Sequence, residues 1–562
     1  MGSDCIRFAR ARCNDAHSLI PSLIIAASLA AAAPAATAPA PLACLAHYYA
    51  ITPVEKDGAW YGRLPDGTRV PYDDGRAKTF DEKLNTPDIE DMFSIRYRAG
   101  AIRPVTVPDD DPGRIRVEEM FSATYGQTRA AVDVVPVDFL GRTLSVNRRR
   151  ADAFRAVAAR LKRLRDADPA LAAYLRRFAG TFVWRKIAGT NRQSAHSYGV
   201  SIDLDTSVSS YWRWQRPPSP LRWRNQIPQA IVDAFEAEGF IWGGRWFHYD
   251  TMHFEYRPEL LDPSCYPPGR IAVAAGGDLQ LDERSTAAQL DGVAGLLDGD
   301  VRFGNLEGPL TARGQPAGLD GDGRPTSGGP IRFTAPPSIA ARLHQKLDVV
   351  SLANNHALDQ GEAGRADTER ALRAAGIAAA FDGHDAALVP AGANIRIIAR
   401  DLGPGLAPAD EDALAAAVAS ARRSGAAVLV SLHFGREGVQ LPAPAERRVA
   451  ERLIDAGASA VLGHGPHVVR GVQRHGRGVI AYSLGNLAFA CRCTDEKDAL
   501  VLRFTLGADG TVDDIVALPI VAGLAGAAPR PADDAELAKL IADLSRDLGS
   551  DARVDGTVVR IR

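Results

Sequence analysis

The sequence has 562 residues, which is too long for a single hydrophobic core, so two or three domains are expected. Its 66 Lys and Arg residues are balanced by 68 Asp and Glu residues and no basic run occurs, which excludes a protein that binds the nucleic-acid backbone. The hydrophobic fraction of 46% is that of an ordinary globular protein.

The N-terminus has the pattern of an export signal. Three arginines occur among the first twelve residues, residues 19–33 form an apolar run, and small residues follow with cleavage sites after Ala35 or Ala38. We therefore expect residues 1–38 to be a signal peptide. The mature protein would be exported, periplasmic or associated with the cell envelope, and would meet the membrane only through this segment. An uncleaved anchor is the alternative, although the run is short for a membrane span.

Cysteine usage agrees with an exported chain, in which disulfides are allowed. Of the six cysteines, two lie within the signal segment. Cys44 and Cys265 bracket the first half of the mature chain, and we predict that they form a disulfide. Lipid attachment at Cys44 is an alternative, although the apolar run lies far upstream. The state of Cys491 and Cys493 stays open, because their spacing is poorly suited to a mutual disulfide.

The first half of the mature chain, residues 46–265, has the pattern of an α+β domain. Residues 149–177 carry apolar side chains at spacings of three and four, which predicts an amphipathic helix. A second helix is predicted around residues 231–235. Short apolar segments and turn residues fill most of the remainder, so a small sheet with packed helices is expected.

Two stretches in this half offer metal ligands. Residues 194–203 read SAHSYGVSID, and residues 242–253 read WGGRWFHYDTMH. Apolar and polar residues alternate around Asp203 and around His253, which predicts that both lie on strands. With His196 they supply two imidazoles and one carboxylate. This set suits a catalytic zinc, which takes three protein ligands and keeps one position for water.

A further carboxylate, Asp250, precedes the second histidine by three residues and could act as a general base. The whole pattern resembles the VanY/VanX-type zinc peptidases, which are D-alanyl-D-alanine carboxypeptidases and L-alanyl-D-glutamate endopeptidases of cell-wall metabolism. The resemblance spans residues 46–265. It implies peptidoglycan stem peptides as substrate, Asp250 as base and Arg185 as the group that stabilises the oxyanion. Aspartate at the base position is similar to the endopeptidase branch. The zinc ligands implied are His196, Asp203 and His253.

After a predicted linker at residues 266–269, apolar strands alternate with helices in residues 270–522. Polar residues follow five of these strands directly. In α/β sheets such residues meet outside the carboxyl ends of the strands. The strands and the polar residues that follow them are 271–275 with Asp278, 301–303 with Glu307, 349–352 with Asn355 and His356, 428–432 with His433, and 460–462 with His464 and His467.

This set resembles the CapA, or poly-γ-glutamate capsule-synthesis, family, which is similar to calcineurin-type metallophosphoesterases. The resemblance implies a four-layer αββα fold, one or two divalent metals, and an anionic exopolymer as a second partner. His356 would donate a proton near a leaving oxygen. The ligands implied are Asp278, Glu307, Asn355, His433, His464 and His467.

Two departures from the phosphoesterase pattern limit this expectation. Gln280 stands where the pattern has a histidine, and the final pair is spaced His-Gly-Pro-His rather than His-x-His. The second domain could therefore bind one metal, act on a polymer without phosphate, or only bind. Residues 523–562 are expected to add an amphipathic helix and a tail.

Three hypotheses remain for the whole chain. The first is an exported zinc peptidase of peptidoglycan fused to a CapA-like domain. The second places the main activity in the C-terminal half, as a metal-dependent hydrolase or transferase of anionic exopolymer, with the first domain attaching to the cell wall. The third is a wall-binding module without chemistry, against which two intact ligand sets argue. The sequence leaves open which peptidoglycan bond is cut.

Overall fold

The computed structural model describes residues 37–562 except residues 77, 216–220, 267–268, 345, 391–392 and 404–407, and except the side chains of residues 287, 288, 408 and 409. Nearly all of the predicted signal peptide, with the site after Ala35, lies outside the described residues, as does half of the predicted linker. Ala38–Arg562 packs as one compact unit. Among the described residues, no helix is long and apolar enough to cross a membrane.

The N-terminal region, residues 38–266, contains a three-stranded sheet, a two-stranded hairpin and a four-stranded sheet of order β6-β7-β9-β8 in which all neighbours are antiparallel. Its helices are α1 (Ala40–Tyr48), α2 (Phe80–Asn85), α3 (Glu118–Tyr125), α4 (Ala151–Ala167) and α5 (Gln229–Glu236). Its strands are β1 (Thr52–Lys56), β2 (Ala59–Arg63), β3 (Arg69–Pro71), β4 (Val134–Phe139), β5 (Arg142–Asn147), β6 (Phe178–Gly180), β7 (Ser201–Leu204), β8 (Phe240–Trp242) and β9 (His253–Tyr256).

Helices α4 and α5 cover one face of the four-stranded sheet. The apolar residues of α4, such as Phe154 and Leu161, are buried together with Phe235 of α5 and Phe254 of β9, and the rings of Phe235 and Phe254 stack at 3.9 Å. Both predicted helices are therefore confirmed. Because side chains alternate along a strand, the residues next to Phe254 face away from these helices. That second face carries the first candidate site.

The C-terminal region, residues 269–562, contains an eleven-stranded and a six-stranded sheet, both mixed. Its helices are α6 (Ala287–Leu296), α7 (Ile339–Leu343), α8 (Gly361–Ala374), α9 (Pro408–Arg423), α10 (Pro444–Asp455) and α11 (Glu536–Asp547). Its strands are β10 (Ile271–Gln280), β11 (Val301–Leu306), β12 (Val349–Ser351), β13 (Ala378–Ala380), β14 (Ala386–Leu388), β15 (Ile395–Gly403), β16 (Ala427–Phe434), β17 (Ala460–His464), β18 (Val472–His475), β19 (Gly478–Ala481), β20 (Asn486–Phe489), β21 (Asp498–Leu506), β22 (Val512–Val521), β23 (Gly523–Leu524), β24 (Arg530–Pro531), β25 (Ala552–Asp555) and β26 (Val558–Ile561).

Parallel strands bring their carboxyl ends to one edge of each sheet. In the larger sheet, β10, β11, β12 and β13 are parallel neighbours, and β21 pairs with β10 on the other side in the antiparallel direction. In the smaller sheet, β15, β16, β17 and β19 are parallel neighbours. Parallel neighbours need crossover connections, here mostly helical, which agrees with the predicted alternation of strands and helices.

The two sheets share a buried core. Val273 and Phe303 of the larger sheet lie in one apolar cluster with Ile397 and Leu429 of the smaller sheet. A second cluster joins the larger sheet to α6, α7 and α8, and a third joins the smaller sheet to α9 and α10. The result is a mixed α/β region in which the strand ends of both sheets lie near one another.

The last forty residues hold more structure than a helix and a tail. Helix α11 buries Leu537 and Ile541 in the core shared by the sheets, as its apolar spacing predicts. Beyond it, β25 and β26 extend the larger sheet by pairing with β22. These two short strands are a finding of the structure, since the sequence analysis expected only a tail there.

Two disulfides are present. Cys44 of α1 is bonded to Cys265 near the end of the N-terminal region, which confirms the predicted pairing. Cys491 is bonded to Cys493, a pairing that the sequence left open. Just beyond the predicted linker, Arg270 lies 3.1 Å from Glu90 and 2.9 Å from Asp514, so this arginine contacts both regions.

Candidate functional site

The four-stranded sheet places three of the predicted ligands side by side. Asp203 and His253 are directly opposite each other in the antiparallel pair β7 and β9, and directly opposite residues have neighbouring side chains. His196 lies on a short 3-10 turn, Ala195–Tyr198, just before β7. Gly199 ends this turn with φ 65, a left-handed conformation that glycine adopts without strain. The chain can therefore reverse and bring His196 over the strand.

The three side chains converge on one point. His196 Nε2 is 3.1 Å from Asp203 Oδ2, and His253 Nδ1 is 2.9 Å from Asp203 Oδ1. One ligand atom of each residue lies within 4.8 Å of the others. Both histidines are buried. The structure thus brings together the whole predicted set.

A backbone contact fixes the tautomer of His196. Its Nδ1 is 2.9 Å from the carbonyl oxygen of Thr181, and a carbonyl can only accept a hydrogen bond, so Nδ1 carries the hydrogen. The lone pair of Nε2 then faces Asp203, and Nε2 is buried without a hydrogen-bond partner among the described residues. A buried nitrogen lone pair beside a carboxylate and a second imidazole fits a zinc ion.

A charged network behind His253 orients the second imidazole. Its Nε2 is 3.3 Å from Glu255 Oε2, and Glu255 Oε1 accepts a hydrogen bond of 3.1 Å from Arg116. Burial alone would lower the pKa of His253, but its hydrogen bonds to Asp203 and Glu255 raise that pKa to about 10. Burial alone would raise the pKa of Asp203, but His196 and His253 hold it well below its usual value.

Asp250 lies at the edge of this group, next to a close backbone contact. A Cβ on Gly243 would lie 2.5 Å from the carbonyl oxygen of Asp250, and the Asp250 amide donates to the Gly243 carbonyl at 2.9 Å. The glycine of the WGG stretch therefore lets the two segments approach. Oδ1 of Asp250 is buried without a partner in the described part of the chain. Burial raises the pKa of Asp250 to about 6.

Arg185 occupies a different environment from the other predicted residues. It lies in the segment between β6 and the turn that carries His196, and its side chain is exposed. Its backbone holds that turn, because the Arg185 amide donates to Ser197 Oγ at 2.9 Å. The positive charge of Arg185 acts on the neighbouring Tyr211, whose backbone bridges to Asp250. The guanidinium is thus near the site without being one of its buried members.

The second predicted set gathers at the strand ends of the C-terminal region. Asp278 ends β10, opposite Asn305 of β11, and Glu307 directly follows β11. On the smaller sheet, His433 of β16 is in register with His464 of β17. One ligand atom each of Asp278, Glu307 and His433 lies within 4.8 Å of the others.

Two further histidines close around Asp278. His464 Nδ1 is 3.4 Å from Asp278 Oδ1, and His467 Nδ1 is 3.0 Å from Asp278 Oδ2. His467 Nε2 is 3.5 Å from Glu307 Oε1. Five of the six predicted ligands therefore form one buried group.

Several polar atoms of this group are buried without a hydrogen-bond partner in the described residues, a rare state in folded proteins. They are Asp278 Oδ2, both carboxylate oxygens of Glu307, His433 Nδ1, and both ring nitrogens of His464. Carboxylate oxygens and neutral imidazoles are ligands for divalent metals. The residues present therefore fit at least one metal ion.

Burial and charge set opposite protonation tendencies within the group. Burial lowers the pKa of His433 to about 3 and raises the pKa of Glu307 to about 7. Burial would also lower the pKa of His467, but Glu307 and Asp278 raise it to about 10. Burial would raise the pKa of Asp278, but His464 and His467 hold it well below its usual range.

The His-Gly-Pro-His spacing has a steric explanation. A Cβ on Gly465 would meet the ring of His433 at 3.1 Å, and Gly465 has φ 103. His467 also adopts a left-handed conformation, with φ 58, which is uncommon for a residue with a side chain. This turn passes against the His433 ring and directs His467 back to Asp278.

Asn355 is not part of the buried group. Asn355 is exposed, whereas its neighbour Asn354 is buried and donates to Asn305 Oδ1 at 3.1 Å. Asn305 in turn donates to Asp278 Oδ1 at 2.8 Å. His356, the predicted proton donor, contacts Asp359 through Nδ1 at 2.8 Å.

Sequence reasoning missed the residues that orient the ligands. Thr181, Arg116 and Glu255 do so in the first group, and Asn305 and Asn354 in the second. The only available signal was the position of Glu255, two residues after His253 on the same face of β9. The other contacts join distant parts of the chain.

The departure at Gln280 is explained by a structural role. Its Oε1 accepts a hydrogen bond of 2.7 Å from the Cys491 amide, and its Nε2 donates to the Leu281 carbonyl at 3.1 Å. Gln280 thus ties the disulfide-bonded loop to the end of β10, and both polar atoms of its side chain are already engaged.

Comparison with protein families gives one match in each region. The model described as D-alanyl-D-alanine carboxypeptidase matches residues 188–256, which include all of the first group and Asp250. The model described as bacterial capsule synthesis protein PGA_cap matches residues 273–387 and 384–490, which include the second group. The chain therefore joins a VanY-like peptidase region to a CapA-like region.

Relatives match the second region. The capsule biosynthesis protein CapA of Bacillus anthracis is 32% identical over 215 residues, which are 33% of this chain and 50% of that protein. The PGA biosynthesis protein CapA of Bacillus subtilis (strain 168) is 31% identical over 144 residues, 26% of this chain and 38% of that protein. The chain thus spans half or less of the length of these two relatives. The solved structure of a hypothetical protein from Thermus thermophilus covers 44% of this chain at 18% identity with a TM-score of 0.29, too low to argue from.

Proposed function

We propose that the protein is an exported zinc metallopeptidase that cleaves peptidoglycan stem peptides and is fused to a CapA-like domain linked to capsule or exopolymer synthesis. The observation that carries this proposal is the buried convergence of His196, Asp203 and His253, with His196 Nε2 free to bind a metal. The match to a carboxypeptidase family over residues 188–256 supports the same reaction class. The bond cut is that of a D-Ala-D-Ala carboxypeptidase or an L-Ala-D-Glu endopeptidase.

The residues of the site divide the work of amide hydrolysis. A zinc ion held by His196, Asp203 and His253 would polarise the scissile carbonyl and make a water molecule more acidic. Asp250 accepts the proton of that water and passes it to the leaving amine, a role for which its buried, unpartnered Oδ1 is suited. Arg185, outside the buried group, reaches the developing negative charge on the carbonyl oxygen as substrate binds.

The decisive experiment is mass spectrometry of purified muropeptides after incubation with the zinc-loaded mature protein, beside an Asp250→Ala control. Loss of terminal D-alanine identifies a carboxypeptidase, and release at the L-Ala–D-Glu bond identifies an endopeptidase. Muropeptides that stay unchanged with the unmodified protein, or change equally with the Asp250→Ala variant, would refute this function.

The buried strand-end group favours a second function for the C-terminal region. There the protein would be a metal-dependent hydrolase or transferase of an anionic exopolymer of the poly-γ-glutamate type, with the N-terminal region attaching to the cell wall. Its support is the set of unpartnered carboxylate and imidazole atoms and the CapA relatives. Polymer-directed activity that is lost in His433→Ala and Asn355→Ala but kept in Asp250→Ala would select it.

The proposal also includes the organisation of the chain. We assign residues 1–38 to a signal peptide, 46–265 to the peptidase domain and 270–522 to the CapA-like domain. The apolar clusters that join the two sheets to each other and to α6–α10 support the four-layer order expected for the second domain. Mass spectrometry of the intact protein from the cell envelope tests the cleavage after Ala35 or Ala38.

A further inference from the structure

A half-buried arginine beside the zinc-type site has no acidic partner. Arg192 lies four residues before His196, and its Nε is buried without a hydrogen-bond partner in the described residues. Its guanidinium donates only to the Arg114 carbonyl, at 3.2 Å, and it forms no ion pair there. Burial and the nearby Arg116 and Arg114 lower the pKa of Arg192 to about 10.

Arg114 brings a second cation to the same place. Its guanidinium lies 4.5 Å from the ring centroid of Trp246, and Trp246 packs against His253 with ring centroids 5.7 Å apart. Arg114 donates to the His248 carbonyl at 2.5 Å. Its Nε lies 3.6 Å from Asp111 and is buried without a hydrogen bond in the described chain. Its charge also acts on Asp250. Arg114 therefore lies next to the reacting groups.

The nearby acids are already engaged elsewhere. Asp111 accepts hydrogen bonds from the His248 ring at 2.7 Å and from the His248 amide at 2.9 Å. Glu255 is held by Arg116 and His253, and Glu118 accepts from the Gln193 amide at 2.6 Å. A partly buried cation without a counter-charge of its own is unfavourable, and it becomes favourable when an anion binds.

We propose that Arg114 and Arg192 bind a free carboxylate of the substrate, carried by the carbon atom attached to the scissile amide nitrogen. Guanidinium groups suit carboxylates because their donors match the two oxygens. This inference rests on the proposed function and narrows its substrate class to amides of the form acyl–NH–CHR–COO⁻. Hydrolysis adds OH to the acyl carbon and H to the nitrogen, and it releases an amino acid or peptide with its carboxylate unchanged.

Three polymers present this chemistry. A stem peptide ending in D-alanine carries it at the C-terminus. The L-Ala–D-Glu bond carries it because the chain continues through the γ-carboxyl of D-glutamate and leaves the α-carboxylate free. A γ-linked glutamate polymer carries it at every residue, and such a polymer would connect the peptidase site with the CapA-like region of the same chain.

The test uses matched pairs of substrates on the zinc-loaded full-length mature protein. Each pair consists of a free carboxylate and its primary amide: a peptide ending in D-Ala-D-Ala, an L-Ala–γ-D-Glu–L-Lys peptide, and a γ-glutamate oligomer. The variants are Arg192→Gln and Arg192→Lys, with Arg163→Gln on the exposed side of α4 as the control for loss of one positive charge.

We expect kcat/KM of the unmodified protein to favour the carboxylate member of the cleaved pair by about 10- to 100-fold. Arg192→Gln should remove this preference and leave the amide member unaffected, Arg192→Lys should keep part of it, and Arg163→Gln should keep all of it. The pair that is cleaved identifies the polymer. An Arg192→Gln variant that cleaves both members less well by the same factor, or keeps the preference, overturns the inference.

Failure of the proposed function is a separate result. If no pair is cleaved, the peptidase proposal fails, and calorimetric titration with N-acetyl-D-alanine and its amide decides the inference by binding alone. Carboxylate-selective binding that disappears in Arg192→Gln then supports the subsite. Equal binding of acid and amide, or carboxylate binding unchanged in Arg192→Gln, overturns it.

Discussion

Single contacts decide which atoms of the candidate ligands are free. The Thr181 carbonyl holds the hydrogen of His196 on Nδ1, and Glu255 takes the Nε2 side of His253. Each imidazole is therefore turned so that one nitrogen faces Asp203. Such contacts behind the ligands fix both the tautomer and the ring orientation of a metal-binding histidine.

Asp250→Ala separates metal binding from proton transfer. Because Asp250 is outside the three-ligand group, we expect the variant to keep its zinc while kcat falls by about 10²- to 10⁴-fold. Zinc content by plasma mass spectrometry and kcat on the cleaved muropeptide measure the two effects. Unchanged kcat would remove Asp250 as the base, and loss of zinc would make it a ligand instead.

Glu255→Gln tests the network behind His253. The neutral amide weakens the contact to Nε2 and leaves Arg116 without its acidic partner, so zinc affinity should fall by about 10- to 100-fold. Competition with a chromogenic chelator measures this change. Glu119→Gln, an exposed site, is the matched control, and equal affinities in the two variants would contradict the role of Glu255.

At the level of elements, alternation along β7 and β9 was enough to predict that Asp203 and His253 share a face. The five polar strand ends of the C-terminal region were predictable for the same reason, because parallel strands align their carboxyl ends. Thr181 and Arg116 were not predictable, because each reaches its partner across a gap in sequence that no motif marks. The amide that enters the second group is Asn354 rather than Asn355, since a turn after β12 decides which side chain points inward.

The turn after β17 should be sensitive to a single methyl group. Gly465→Ala adds a Cβ that would meet the His433 ring at 3.1 Å, at a residue with φ 103. We expect loss of metal from the C-terminal region and an unchanged zinc content in the N-terminal region. Gly476→Ala also has positive φ but open space around it, so it controls for backbone strain alone. Equal metal contents in both variants would argue against the steric role of Gly465.

The Cys44–Cys265 disulfide joins the first helix of the N-terminal region to its last turn. Replacing both cysteines with alanine should cost about 2–5 kcal/mol, which lowers the melting temperature of that region by about 5–15 °C. Scanning calorimetry with and without a reductant measures this shift. A reductant that lowers the melting temperature of the double variant as much as that of the unmodified protein would show that another bond is responsible.

At the scale of the whole molecule, the two regions are bound together rather than joined by a free linker. Asp110 of the N-terminal region accepts hydrogen bonds from Arg503 of β21 at 3.1 and 3.2 Å. Arg98 pairs with Asp298 at 3.2 Å, and Asp109 pairs with Arg560 at 3.3 Å. The sequence predicted two separate domains from a change in composition, but contacts between residues hundreds of positions apart leave no local pattern.

Asp110→Asn tests whether these contacts couple the regions. The substitution leaves Arg503 without its acidic partner at a largely buried position, so we expect the unfolding of the two regions to separate in calorimetry. Asp57→Asn, at a side chain that is 86% exposed, provides the control. A single transition that is identical in both variants would show that the ion pair does not couple them.

The central place of β10 has a consequence for how the chain is made. This strand begins the C-terminal region, yet its antiparallel neighbour β21 lies more than two hundred residues later. During synthesis the edge of β10 that faces β21 therefore waits for most of that region to emerge, while the N-terminal region already has all its strands. A ribosome that stalls between β11 and β21 would release a chain with a finished peptidase half and an open, apolar strand edge, the kind of edge that promotes aggregation.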